Sequence, residues 1–116
     1  MADERGILQA AYRNFNARDI DAVLASMTED VEWPNGWEGG FVYGHEGVRD
    51  YWTRQWAALD PHVEPGVIAV LDDGRFAVEV RQVVRDRAGH LILDGTVRHV
   101  YRMREGLIAR MDIEST

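Results

Sequence analysis

The sequence contains no cysteine, and all 13 of its basic residues are arginine. Without cysteine there is no disulfide, no thiolate nucleophile and no cysteine-based metal site. Without lysine there is no Schiff-base chemistry. The 20 acidic residues leave a net charge of −7. That balance argues against nucleic acid or an anionic membrane surface as the main partner. No apolar run approaches the ~18 residues of a membrane span. Met1-Ala2-Asp3-Glu4-Arg5 lacks the character of a signal peptide, so a cytoplasmic protein is expected. Gly36, Gly39 and Gly40 come without the Lys-Ser/Thr of a phosphate-binding loop, and His45, His62 and His90 lack metal-ligand spacing. Ser26 falls in a predicted helix and Ser115 at the chain's end, which leaves no candidate serine nucleophile. A phosphate site, a metal site and a cofactor are not expected.

What is present is a globular composition, 46% apolar and 28% charged in 116 residues, enough for one domain over 1–116. Ile7, Leu8, Ala11, Tyr12 and Phe15 form the apolar stripe of a first helix. Asp19 caps a short second helix carrying Ile20, Val23, Leu24 and Met27. A short strand from Val31 runs into a Gly-rich loop bearing Trp33 and Trp37, followed by a second short strand, Phe41-Val42-Tyr43. The third helix opens at Gly44-His45-Glu46, presents Val48, Tyr51, Trp52, Trp56 and Leu59 on one face, and ends at Asp60-Pro61. Everything beyond reads as strand and turn, with turns at Asp73-Gly74, near 86–89 and at Glu105-Gly106.

The last hairpin carries the chemistry. A two-residue Glu105-Gly106 turn pairs Met103 with Ile108, Tyr101 with Arg110 and His99 with Asp112. Alternation places His99, Tyr101, Arg110, Asp112 and, from the neighbouring strand, Gln82 on the apolar face that the helices cover. Gly95 is the position where a bulge could shift the strands before it. An imidazole with an ordinary pKa near 6.5 beside a desolvated carboxylate is a general acid–base pair, and a neighbouring guanidinium can stabilise developing negative charge. On this reading His99, Asp112 and Arg110 are the candidate catalytic residues, with Asp112 either the base or the orienter of His99. The same residues, with Tyr101, could instead form a satisfied structural network. Tyr12, Trp33, Trp37, Trp52, Trp56, Tyr101 and Gln82 are candidate walls of an apolar pocket. For the tryptophans of the third helix, ordinary core is the competing reading. Val83, Val100, Met111 and Ile113 fall on the opposite face among arginines, an apolar patch that suggests a homodimer.

The order of elements, together with Asn16-Ala17-Arg18-Asp19-Ile20-Asp21, Glu29-Asp30-Val31-Glu32-Trp33, Gly44-His45-Glu46-Gly47-Val48-Arg49 and Tyr101-Arg102-Met103-Arg104-Glu105-Gly106-Leu107-Ile108, resembles the nuclear transport factor 2-like superfamily, in its SnoaL-like and ketosteroid-isomerase-like branch. The resemblance implies an α+β, cystatin-like cone, with three N-terminal helices packed on a curved, mostly antiparallel sheet. The Asp112 and His99 placement is similar to that of SnoaL-like polyketide cyclases. Arg110-Met111-Asp112 is similar to the Arg-x-Asp of limonene-type epoxide hydrolases, though on a different strand. Trp33 rather than a carboxylate precedes Pro34, and His99 stands where the steroid isomerases carry an Asp, so the resemblance to those enzymes is uneven. The implied function is a cofactor-independent acid–base enzyme, of isomerase, cyclase or dehydratase type, acting on a small hydrophobic carbonyl or polyketide-like substrate. The alternative is a small-molecule binding or dimerisation module with no chemistry.

Overall fold

The computed structural model describes residues 4–115, so residues 1–3 of the N-terminal stretch lie outside it. Helix α1 (Glu4–Asn16) is followed by the short α2 (Ile20–Leu24), strands β1 (Met27–Pro34) and β2 (Phe41–Tyr43), and helix α3 (Gly44–Ala58). Strands β3 (Leu59–Val70), β4 (Phe76–Asp86), β5 (Leu91–Arg104) and β6 (Leu107–Ser115) complete the chain. The six strands form one sheet in the order β2-β1-β6-β5-β4-β3. Only β1 and β6 run parallel; the other pairs are antiparallel. This is the expected class, helices on a curved sheet.

The helices form where the apolar spacing demanded. Leu8, Ala11 and Tyr12 of α1, Val23 and Leu24 of α2, and Val48, Tyr51 and Trp52 of α3 are buried. Asp19 caps α2 by accepting from the Ala22 amide. Arg18 ends α1 in a left-handed conformation (φ 65°), held there by side-chain hydrogen bonds to the carbonyls of Phe15 and Pro61. Two boundaries differ from expectation. Met27 begins β1 rather than ending α2, and Leu59, expected on α3, begins β3. Strand pairing to β6 and β4 takes these residues from the weaker helix ends.

Glu105 and Gly106 have φ of 54° and 78°, as a tight hairpin turn requires, and Arg104↔Leu107 and Met103↔Ile108 pair as expected. Beyond them β6 carries one extra residue, Ala109, and the register shifts. Tyr101 therefore pairs with Met111 rather than Arg110, and His99 pairs with Ile113 rather than Asp112. A one-residue slip exchanges the faces of a strand. It turns Met111 inward, 2% exposed, and sets Arg110 and Asp112 on the outer face opposite Arg102 and Val100. The cause is energetic: the unbulged strand would bury a guanidinium and a carboxylate and expose two apolar side chains. The expected homodimer patch thereby loses Met111 and Ile113, and its Val100 is already only 1% exposed.

Further back, Val78 pairs with His99 and Phe76 with Tyr101, which keeps Phe76, Val78 and Tyr101 together in the core. A second bulge lies at Ile92 of β5, between the pairs Val84↔Leu93 and Arg85↔Leu91, while Gly95 pairs regularly with Gln82. The core gathers Leu8, Tyr12, Val31, Trp52, Val78, Val80, Tyr101 and Ile108 between helices and sheet.

Candidate active site

Between the helices and the inner face of the sheet lies a cavity of about 680 Å3, open to solvent at one end. Its aromatic walls include Tyr12 and Phe15 from α1, Trp33 from β1, Tyr51 and Trp52 from α3, and Tyr101 from β5. The aromatic packing is continuous. Trp52 meets Phe15, Trp33 and Trp56 with ring centroids 5.2 to 5.6 Å apart, mostly edge to face. Trp56 stands behind Trp52, against Phe15 and beneath the Arg18 guanidinium, and is not part of the cavity wall. Of the seven expected wall residues, Tyr12, Trp33, Trp37, Trp52, Tyr101 and Gln82 border the cavity.

The rim is built by the loop between β1 and β2. Asn35, only 7% exposed, accepts the amides of Trp37 and Glu38 on its side-chain oxygen and donates to the Glu38 carboxylate. Arg54 of α3 holds the same carboxylate at 2.7 Å. Gln55 donates to the Tyr51 hydroxyl at 3.2 Å, beside Gly36 and Trp37 on the cavity wall. The glycine-rich loop is thus cross-tied. Trp37 remains 41% exposed at the mouth, where Ile92, Leu93 and Ile113 join it.

One polar cluster lies inside. Tyr101 Oη donates to Tyr12 Oη at 2.7 Å, and Tyr12 Oη contacts His99 Nδ1 at 2.8 Å. All three residues are at most 5% exposed and border the cavity. His99 Nε2 is buried without a protein partner. An unmatched buried polar atom costs about 1–3 kcal/mol, so this one marks a place for a ligand or water. Burial lowers the His99 pKa to about 4, which makes the ring neutral at pH 7. Burial raises the Tyr12 and Tyr101 hydroxyls well above their usual value, so both stay protonated.

The expected His99–Asp112 pair does not form. Asp112 borders the cavity, but both of its carboxylate oxygens take hydrogen bonds from Arg110, at 2.9 and 3.0 Å. Arg110 is also held by Glu32 at 3.1 Å and lies 4.5 Å above the Phe41 ring. Its pKa is raised by the hydrogen bond to Asp112 first and that to Glu32 second. Both residues are about a third exposed, on the far side of the sheet from His99. Sequence reasoning missed Met111 and Ile113 as cavity residues, and Asn35 as the rim's anchor. The signal for the first two was present, since apolar and charged side chains alternate strictly from Arg110 to Glu114. Among the described residues, no three His, Cys, Asp or Glu side chains form a group able to hold a metal.

Solved structures of this architecture include several with small molecules. TerC, co-crystallised with polyporic acid, superposes with a TM-score of 0.83 at 27% identity, covering 97% of this chain and 91% of its own. The epoxide hydrolase/cyclase-like enzyme SalBIII, with a role in pyran ring formation in salinomycin, gives 0.80 at 22% identity, over 96% and 88%. Rv0760c of Mycobacterium tuberculosis, in complex with estradiol-17β-hemisuccinate, gives 0.77 at 22%, over 90% and 87%. No curated protein matches the sequence. The SnoaL-like domain model matches residues 8–111, nearly the whole chain, and the protein belongs to that family.

Proposed function

We propose that this protein binds a small hydrophobic molecule inside the cone, with the ligand's polar end at His99. One observation carries the reading: an open, aromatic-lined cavity of about 680 Å3 whose wall includes a buried histidine with one unmatched ring nitrogen. The ligands named with TerC and Rv0760c are cyclic organic molecules, which supports a ring-shaped occupant. The test is titration of a panel of naphthalene- and steroid-sized compounds, followed through tryptophan fluorescence. Saturable binding is expected for some of them, and Trp33→Ala should weaken it by more than it lowers stability. A Trp33→Ala variant that unfolds readily yet binds unchanged overturns the role of that wall.

A second reading adds chemistry of the isomerase or cyclase kind, favoured by the relatedness to SnoaL-like domains and by the position of His99. In it His99 polarises a carbonyl as a neutral hydrogen-bond donor. Asp112 and Arg110, paired with each other on the outer face, take no direct part. A His99→Gln variant that turns over any identified substrate at the wild-type rate removes this reading and leaves binding intact. The same proposal includes a homodimer, for which exposed Leu91, Ile92 and Leu93 supply apolar surface. A single 13.2 kDa species in sedimentation at micromolar concentration overturns that part.

A further inference from the structure

The three-residue cluster can be solved by counting hydrogens. Tyr12 Oη has one hydrogen and two neighbours, Tyr101 Oη and His99 Nδ1. If Tyr101 donates to Tyr12 and Tyr12 donates to Nδ1, every hydrogen in the cluster has an acceptor except the one this forces onto Nε2. If instead Nδ1–H donates to Tyr12, a hydroxyl hydrogen of one tyrosine is stranded in the core and Nε2 is left as an empty acceptor. The first arrangement leaves one unmatched group and the second leaves two. Buried unmatched groups are costly, so the first prevails.

The surroundings define what can take that hydrogen. Among the described residues no arginine lines the cavity; the carboxylate of Asp112 is engaged by Arg110, and His62 faces Glu64 at 3.4 Å. An anion entering would lose its water with no cation to meet it. A neutral oxygen with a free lone pair loses little water and gains a waiting donor. Resting on the ligand-binding reading above, we propose that Tyr101 and Tyr12 act as positioning residues that fix His99 as an Nε2–H donor, and that the buried end of the cavity is a subsite for a neutral carbonyl oxygen.

Two measurements test this. The first needs no ligand: long-range 1H–15N correlation of the His99 ring at pH 7. Hydrogen on Nε2 and an Nδ1 resonance shifted by hydrogen bonding are expected, with Nδ1 moving toward the unbonded value in Tyr12→Phe. Hydrogen on Nδ1, or an Nδ1 resonance indifferent to Tyr12→Phe, overturns the relay. The second compares 2-acetylnaphthalene, 2-ethylnaphthalene and 2-naphthoate, matched in size as ketone, hydrocarbon and carboxylate. In His99→Phe the ratio of ketone to hydrocarbon affinity should fall roughly tenfold, a comparison in which water-to-cavity transfer cancels. Retained binding of the hydrocarbon reports that the variant's cavity is intact. In the wild type the carboxylate should bind at least tenfold more weakly than the ketone. An unchanged ratio, or naphthoate binding as well as the ketone, overturns the carbonyl subsite while ligand binding stands. Failure of all three compounds to bind the wild type overturns both.

Discussion

Inside the cone, Tyr12, His99 and Tyr101 are joined by contacts of 2.8 and 2.7 Å that leave only His99 Nε2 unmatched, and they carry no charge at neutral pH. Outside it, on the other face of the same strands, Arg98–Glu114, Arg110–Glu32 and Arg110–Asp112 form ion pairs of 2.6 to 3.1 Å, all partly exposed. Both sets are closely hydrogen-bonded, but solvent makes them unlike. Water screens the outer pairs, so each contributes little and tolerates loss. Desolvation acts on the inner groups without relief, suppressing ionisation and making each unmatched atom expensive. Polar chemistry that depends on a shifted pKa or a waiting donor therefore belongs to the inner face, whatever the density of charge on the outer one.

The comparison can be broken most forcefully on the inner side. Trp52, 2% exposed and packed on three aromatic rings, should cost about 3–5 kcal/mol as Trp52→Ala, read by chemical denaturation. A loss under 1 kcal/mol would mean the cavity collapses freely. Acid should act next. His99 has a pKa of about 4 in the folded protein against 6.5 unfolded, so the unfolded chain takes up the proton first. Stability should be insensitive to this group at pH 7, decline as pH falls below about 6.5, and stop declining below about 4, for a total of about 3 kcal/mol. His99→Phe should abolish that component, measured as the difference between the two proteins' pH–stability curves. Tyr12→Phe, which strands Nδ1, should cost about 1–3 kcal/mol at neutral pH. Smallest of all, Asp112→Asn should cost about 1 kcal/mol or less, diminish further in high salt, and leave ligand affinity unchanged. A large, salt-independent effect of Asp112→Asn on binding would erase the distinction between the faces.

Much of this architecture was legible in the sequence because its signals are local. The stripe Leu8-Ala11-Tyr12-Phe15, the Asp19 cap and the Glu105-Gly106 turn each specify their element within a few residues, and each forms. Six of the seven expected wall residues were legible for the same reason, while Trp56 lies behind the wall and Met111 and Ile113 were missed with the bulge. The His99–Asp112 pairing was not legible, because it counts six residues from a turn and a single inserted residue at Ala109 reverses its outcome. No sequence motif marks that bulge. What marks it is an energetic comparison: Met111 and Ile113 in water with Arg110 and Asp112 in the core, or the reverse. Tyr12 shows the complementary gap. The helical spacing placed it at the wall, but its bond to His99, 87 positions away, belongs to the tertiary structure alone.

The cross-tied loop around Asn35 bears on kinetics. A lid that swings open admits ligands at a rate set by its own motion, and all compounds then enter at similar speed. Here the Trp37 edge is fastened by Asn35 and, through Glu38–Arg54, to α3. A mouth tied in this way is an aperture rather than a swinging lid, and such an opening works as a sieve. Association rates should therefore grade with molecular girth, so that slim fused rings enter faster than bulky ones of equal hydrophobicity, and selection begins before any contact with His99.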